Sequence, residues 1–113
     1  MSKIRLLCLL LVAVAPTYAM AQSAVLSINH VVTHNMPFDQ CLRHASDTFR
    51  VANMRQFGTT SEAVWAETAD RRYSATIYCL TTRDVAVVAV YGPDRRATAS
   101  ILDNLLEAWR RVR

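Results

Sequence analysis

The side chains best suited to chemistry lie between residues 30 and 44. Those that could bind a metal ion are His30, His34, Cys41 and His44, with Met36 among them. Thiolate and imidazole groups are the ligands that zinc and copper select in proteins. Cys41 and His44 are three residues apart, and on a helix this spacing brings two side chains close enough to share one ion. The pattern therefore allows a metal site made of Cys41, His44 and one further histidine.

The same residues also fit a structural role. His30 and His34 fall near a predicted strand, where four residues span about 13 Å, too far for two ligands of one ion. Cys8 belongs to an N-terminal leader, which leaves Cys41 and Cys79 as the cysteines of the mature chain. An even cysteine count in an exported protein favours a disulfide. We predict a Cys41–Cys79 disulfide and no cofactor, with metal binding as the alternative.

Catalytic motifs are absent from the sequence. There is no Gly-x-Ser-x-Gly nucleophile motif, and with only Gly58 and Gly92 the chain cannot form a glycine-rich phosphate loop. Asp39 could pair with Glu62 or Glu67 as two catalytic carboxylates, but no pattern brings them together. No catalytic residue is predicted, and an enzyme without a recognisable motif is the third hypothesis.

The first 21 residues are typical of a secretory signal peptide. Lys3 and Arg5 precede an uninterrupted apolar run over residues 6–15, and small residues follow up to Ala21. The run has about ten residues, whereas a membrane-spanning helix needs about 20. We predict cleavage after Ala21, with Ala19 as the alternative position. The product is then a periplasmic or secreted protein without a stable membrane anchor.

Residues 22–113 are predicted to form one small domain. This part of the chain has eleven arginines against nine acidic residues, and the arginines are scattered in ones and twos. Recognition of nucleic acid requires basic residues clustered on one face. The charge pattern therefore excludes nucleic-acid binding as a predicted function.

Apolar periodicity and turn residues predict the element order β-α-β-β-β-α. The predicted strands cover residues 24–33, 62–68, 73–80 and 85–91, and residues 55–61 are predicted to be a loop. Pro37 is placed at the start of the first helix, and Asp94 is the predicted N-cap of the second, whose apolar stripe begins near Thr98. The fold class is α+β, with two layers: an antiparallel sheet and two helices packed on one of its faces.

Alternation within the strands predicts which side chains share a face. In the first strand these are Leu26, Ile28, His30 and Val32. The last strand does not alternate, which predicts burial on both of its faces. Turns at Asp70-Arg71 and at residues 81–84 predict pairs between the later strands that face the helices: Ala66 with Ala75, Ile77 with Val88, and Cys79 with Ala86.

The opposite parity gathers a second set of side chains on the face without helices: Trp65, Thr76, Tyr78, Leu80, Val85, Val87, Ala89 and Tyr91. Two helices on one side leave this face uncovered, and an exposed apolar patch of this size marks an interaction surface. A shift of the register by one residue, or shielding by loop residues such as Phe57, would remove the patch.

These patterns favour a non-catalytic exported protein that acts as an interaction, binding or accessory module. Its expected partner is another protein or a second copy of the chain, bound through the uncovered face. The predicted interface residues are Trp65, Tyr78, Leu80, Val85, Val87 and Tyr91.

Overall fold

A computed structural model describes residues 24–113, which form one antiparallel sheet and two α-helices. The strands are β1 (Val25–Val32), β2 (Arg55–Thr59), β3 (Ala63–Glu67), β4 (Ser74–Leu80) and β5 (Val85–Gly92). The helices are α1 (Phe38–Val51) and α2 (Arg95–Arg111), and a 3-10 turn spans Thr81–Arg83. The strand order is β1-β5-β4-β3-β2. The predicted leader, residues 1–21 with its cleavage point, lies outside the described residues.

The predicted α+β class and two-layer arrangement are confirmed, with one strand more than expected. Residues 55–61 have the composition of a loop, yet Arg55–Thr59 pairs with β3 as an edge strand. The pairing shifts register between Gln56 and Gly58, so that Phe57 is the extra residue of a β-bulge. Contact with β3 determines this strand, because its own sequence has neither alternation nor β-branched residues before Thr59.

The predicted register of β3, β4 and β5 is confirmed. The observed pairs are Ala66 with Ala75, Ile77 with Val88, and Cys79 with Ala86. All six side chains are buried. The turns that set this register contain no glycine; instead Arg71 and Asp84 adopt left-handed backbone conformations, with φ of 60° and 56°.

Asp94 is the N-cap of α2, as predicted. Its carboxylate accepts a hydrogen bond from the backbone N–H of Ala97 at 2.9 Å, which satisfies one of the free donors at the helix start. The helix begins at Arg95, about one turn before the apolar stripe that starts at Thr98. This cap and stripe place α2 over β5 and β1, while α1 packs over β2, β3 and β4.

The core lies between the sheet and the two helices. Phe49 of α1, Ile77 of β4 and Leu105 of α2 are each completely buried there. The predicted Cys41–Cys79 disulfide is confirmed, with an S–S distance of 2.07 Å. It joins α1 to β4 within this buried layer, so the two elements are linked covalently as well as by packing.

We expect Gly92→Ala to destabilise the fold by about 1–3 kcal/mol, the usual cost of overpacking. A Cβ at this position would lie 2.3 Å from Cδ1 of Tyr73 and 3.1 Å from the carbonyl oxygen of Arg72. The Tyr73 ring is itself buried and has little room to move. Urea denaturation measures the effect. Gly58→Ala is the control, since its Cβ would meet only Cβ of Trp65 at 3.9 Å; equal losses in both variants would contradict the steric argument.

Candidate functional site

The outer sheet face is the surface of the sheet opposite the two helices. Strand register defines it as Leu26, Ile28, His30 and Val32 of β1, Val85, Val87, Ala89 and Tyr91 of β5, Ser74, Thr76, Tyr78 and Leu80 of β4, and Ala63, Trp65 and Glu67 of β3. Its most exposed apolar side chains are those of Leu26 at 61%, Ile28 at 59% and Val32 at 48%. No helix of residues 24–113 covers it, because both helices pack on the other side.

All six predicted interface residues lie on the outer sheet face, and each is half-buried. The set is Trp65, Tyr78, Leu80, Val85, Val87 and Tyr91. Their shared parity follows from the confirmed register. The last strand was expected to be buried on both faces. On the outer face Ala89 is buried, but Val85, Val87 and Tyr91 are only half-buried, so the prediction is wrong for these three positions. β5 lies between β1 and β4, which shield these side chains only from the sides.

β1 enlarges the face beyond what the sequence predicted. Alternation placed Leu26, Ile28, His30 and Val32 on one side of a strand but did not indicate which strand lies beside it. In the structure β1 pairs with β5, so Ile28 lies opposite Ala89 and His30 opposite Val87. The apolar side chains of β1 therefore continue the patch formed by β5 and β4.

The far end of the outer sheet face is polar. Glu67 forms an ion pair with Arg55 at 3.0 Å, and the Tyr78 hydroxyl donates a hydrogen bond to the carboxylate of Glu62. That hydrogen bond raises the pKa of Tyr78, because the carboxylate stabilises the protonated phenol. Phe57 is 52% exposed on β2, and β3 and β4 separate it from β5. It does not shield the apolar centre of the face.

The four predicted metal ligands do not assemble into a site. Cys41 is a disulfide sulfur, and the ring of His44 is held by Trp109, whose carbonyl oxygen accepts a hydrogen bond from Nε2 at 2.8 Å. His30 lies on the outer sheet face and His34 in a turn with φ of 52°. Residues 24–113 contain no group of three metal-binding side chains within reach of one ion. Cys41, bonded to Cys79, is therefore not available as a thiolate ligand in this structure.

The carboxylates considered for catalysis each have a separate partner. Asp39 forms an ion pair with Arg43 at 3.1 Å on the exposed side of α1. The Glu62 carboxylate accepts a hydrogen bond from Tyr78 of β4, and Glu67 forms an ion pair with Arg55 of β2. No two of these three carboxylates share a hydrogen-bond or ion-pair partner.

A groove lies between the end of β1, the start of α1 and the end of α2. We call it the β1 groove; its volume is about 730 Å³. Its lining includes His44 and Trp109, whose rings are in contact at a tilt of 52° with centroids 4.1 Å apart. Met36, Val32 and Arg110 also line it. The surface is thus part apolar and part cationic. No local pattern predicted this groove, since His44 and Trp109 are 65 residues apart in the chain.

No protein-family model, curated protein or solved structure matches this chain. The outer sheet face and the β1 groove must therefore be interpreted from their own residues. Within residues 24–113, no helix is long and apolar enough to span a membrane. The disulfide is compatible with an extracellular or periplasmic protein, because such bonds persist in oxidising compartments.

Asp84 fixes the turn that follows β1. Its Oδ1 accepts hydrogen bonds from the Asn35 backbone N–H at 2.6 Å and from the Thr33 hydroxyl at 2.7 Å. These bonds hold the pKa of Asp84 below its ordinary value, since they stabilise the ionised carboxylate. A carboxyl whose folded pKa is lowered stabilises the fold above its unfolded pKa of about 3.9, and this contribution is lost as the pH falls through the folded value.

We therefore expect the melting temperature of the wild type to fall as the pH decreases below about 4. Asp84→Asn should show a smaller fall, because the amide retains an acceptor and tolerates the left-handed backbone but has no charge to lose. Thermal unfolding followed by circular dichroism at a series of acidic pH values measures the difference. Asp103→Asn, at an exposed position of α2, is the control. An equal fall of the melting temperature at acidic pH in Asp84→Asn and in the wild type would contradict the prediction.

Proposed function

We propose that the protein is an exported binding module that forms a homodimer through the outer sheet face. The observation that carries this proposal is the row of exposed apolar side chains on β1, continued by β5 and β4 on a face that neither helix covers. Soluble monomers rarely expose a contiguous apolar patch of this extent, and such patches mark interaction sites.

Charge distribution favours a second copy as the occupant. No Asp, Glu, Lys or Arg lies at the outward positions of β1, β4 and β5, so two such faces can meet without burying an unpaired charge. The charged groups lie at the β2 and β3 end, as in interfaces with an apolar centre and a polar rim. A two-fold axis through the patch would make the surface self-complementary.

The size of the face is of the order that a stable dimer needs. Strands of five to eight residues, rising about 3.3 Å per residue and lying about 4.8 Å apart, give the whole sheet a footprint of roughly 500 Å², and the relief of the side chains adds to its accessible area. A stable interface buries about 800 Å² of accessible surface on each partner. Face-to-face packing of two sheets would then form a β-sandwich core between two outer layers of helices.

Export is supported by two independent features. The N-terminal charges, short apolar run and small residues before position 22 are those of a signal peptide. The Cys41–Cys79 disulfide suits the oxidising compartment to which such a leader directs a protein. We infer a periplasmic or secreted location.

Sedimentation of the purified wild-type protein over a wide range of concentrations tests the proposal. The expected result is a reversible dimer that dissociates on dilution. A strictly monomeric wild type would overturn it, including the case in which the monomer binds a different exported protein through the same face. Dimers that persist in a variant with a charge introduced on the outer sheet face would also overturn it, since another surface would then form the contact.

A further inference from the structure

β1 is an edge strand with backbone groups that point away from the sheet. The Thr33 N–H donates to the Asp84 carbonyl at 3.0 Å, so the odd-numbered residues of this segment form the ladder with β5. Successive residues of a strand direct their N–H and C=O groups to opposite sides. The even-numbered residues 26–32 therefore direct theirs to the open edge. In agreement, the His30 N–H donates a hydrogen bond to Oδ1 of the Asn29 side chain at 2.8 Å and not to a carbonyl of β5.

The two edges of the sheet differ in their protection. β2 is short, contains a bulge and carries Arg55, three features that discourage pairing with another chain. β1 is eight residues long, pairs with β5 without a bulge, and has no charged residue or proline. Among residues 24–113 no strand lies on its open side. In the described part of the chain, the one outward donor of β1 with a side-chain partner is the His30 N–H, which donates to Oδ1 of Asn29.

The β1 groove runs beside this open edge. His30 and Val32, whose backbone groups point outward, are both part of its lining. Alternate side chains of a strand added at the edge would enter the groove, and the others would lie beside Ile28 and Val32 on the outer side. Arg110 lines the groove, and no carboxylate among the described residues does. The groove therefore favours acidic side chains, while the outer side favours apolar ones.

We propose that the β1 edge binds an extended segment of a partner protein, in which acidic and apolar residues alternate, by strand addition. Backbone hydrogen bonds to the open edge supply affinity in this mode of recognition, and the alternate side chains supply selectivity. The inference depends on the edge and the groove, and it stands independently of dimerisation through the outer sheet face.

Synthetic hexapeptides in which Val alternates with Glu are the probe, titrated into the purified protein and followed by amide NMR and hydrogen exchange. We expect saturable binding, with exchange of the Ile28 and Val32 amides slowed at least about tenfold, as a new backbone hydrogen bond requires. A peptide with Lys in place of Glu should bind at least about tenfold more weakly, because it meets Arg110 with a like charge. A Glu peptide N-methylated at its valines should not bind.

Two pairs of variants separate the backbone from the charge contribution. Val32→Pro removes an outward N–H at an edge position, where proline is tolerated, and should abolish binding, whereas Val32→Ala keeps the N–H and should retain it. Arg110→Glu should weaken binding of the Glu peptide by about tenfold. Arg96→Glu, at the opposite end of the same helix, is its control and should leave binding unchanged.

Several results would overturn the proposal. One is that the wild type does not bind the Glu peptide. Another is that the N-methylated Glu peptide binds as tightly as the unmethylated one. This comparison tests the backbone contact even if Val32→Pro fails to fold. A third is slow exchange of the Ile28 and Val32 amides in the absence of peptide, with an exchange rate that falls further as the protein concentration rises. In that case β1 of a second copy is the occupant of the edge.

Discussion

Reduction of the Cys41–Cys79 disulfide is expected to lower the melting temperature by roughly 15–30 °C. The bond closes a loop with a sequence separation of 38 residues. For a loop of this length the chain-entropy model gives about 4 kcal/mol of stabilisation, through the restriction of the unfolded chain. That is a large share of the ~5–15 kcal/mol by which small domains are stable. Calorimetry of the protein with and without a thiol reductant measures the shift.

A double variant, Cys41→Ala with Cys79→Ala, separates loss of the bond from other effects of the reductant. It should unfold at the same low temperature with or without reductant, and close to the reduced wild type. Both cysteines are buried between α1 and β4, so the alanines also remove a small packing contribution. A wild type whose melting temperature is unchanged by complete reduction would contradict the predicted stabilisation.

Local patterns predicted most of the sheet because each relevant signal lies within a few residues. Alternation in β4 and the placement of two turns were enough to pair Ile77 with Val88. Those turns lack glycine, yet Asp84 provides the left-handed residue that the second turn requires, with its carboxylate bonded to Thr33. Parity then placed one set of side chains on the outer sheet face without any knowledge of tertiary structure.

The features that the sequence did not predict depend on their partners in the fold more than on their own residues. β2 exists because β3, which follows it after a short turn, supplies its hydrogen bonds. β1 belongs to the same sheet because it pairs with a strand about 60 residues later. His44 was a plausible metal ligand from its spacing to Cys41. Its ring instead lies against Trp109, a contact that no local pattern encodes. The β1 groove depends on the same contact.

Replacement of Ile28 by Glu is expected to weaken the proposed dimer by roughly 100-fold or more. A Glu at this position would be buried unpaired between two apolar sheets, at a cost of about 3–5 kcal/mol, and each 1.4 kcal/mol corresponds to about tenfold in Kd. The isolated fold should survive, because Ile28 is 59% exposed within one chain. Sedimentation gives the association constant, and thermal unfolding at low protein concentration verifies the fold.

Val87→Glu places the same charge on β5, opposite His30 in the register, and should weaken the dimer in the same way. Ala99→Glu is the matched control, because it adds an identical charge at an exposed position of α2 in the helical layer. It should leave the association constant unchanged, which shows that net charge alone does not separate the copies. If Ile28→Glu and Ala99→Glu associate equally, the outer sheet face is not the dimer contact. If Val87→Glu unfolds while Ile28→Glu remains folded but monomeric, the interface stands and β5 also contributes to the stability of the single chain.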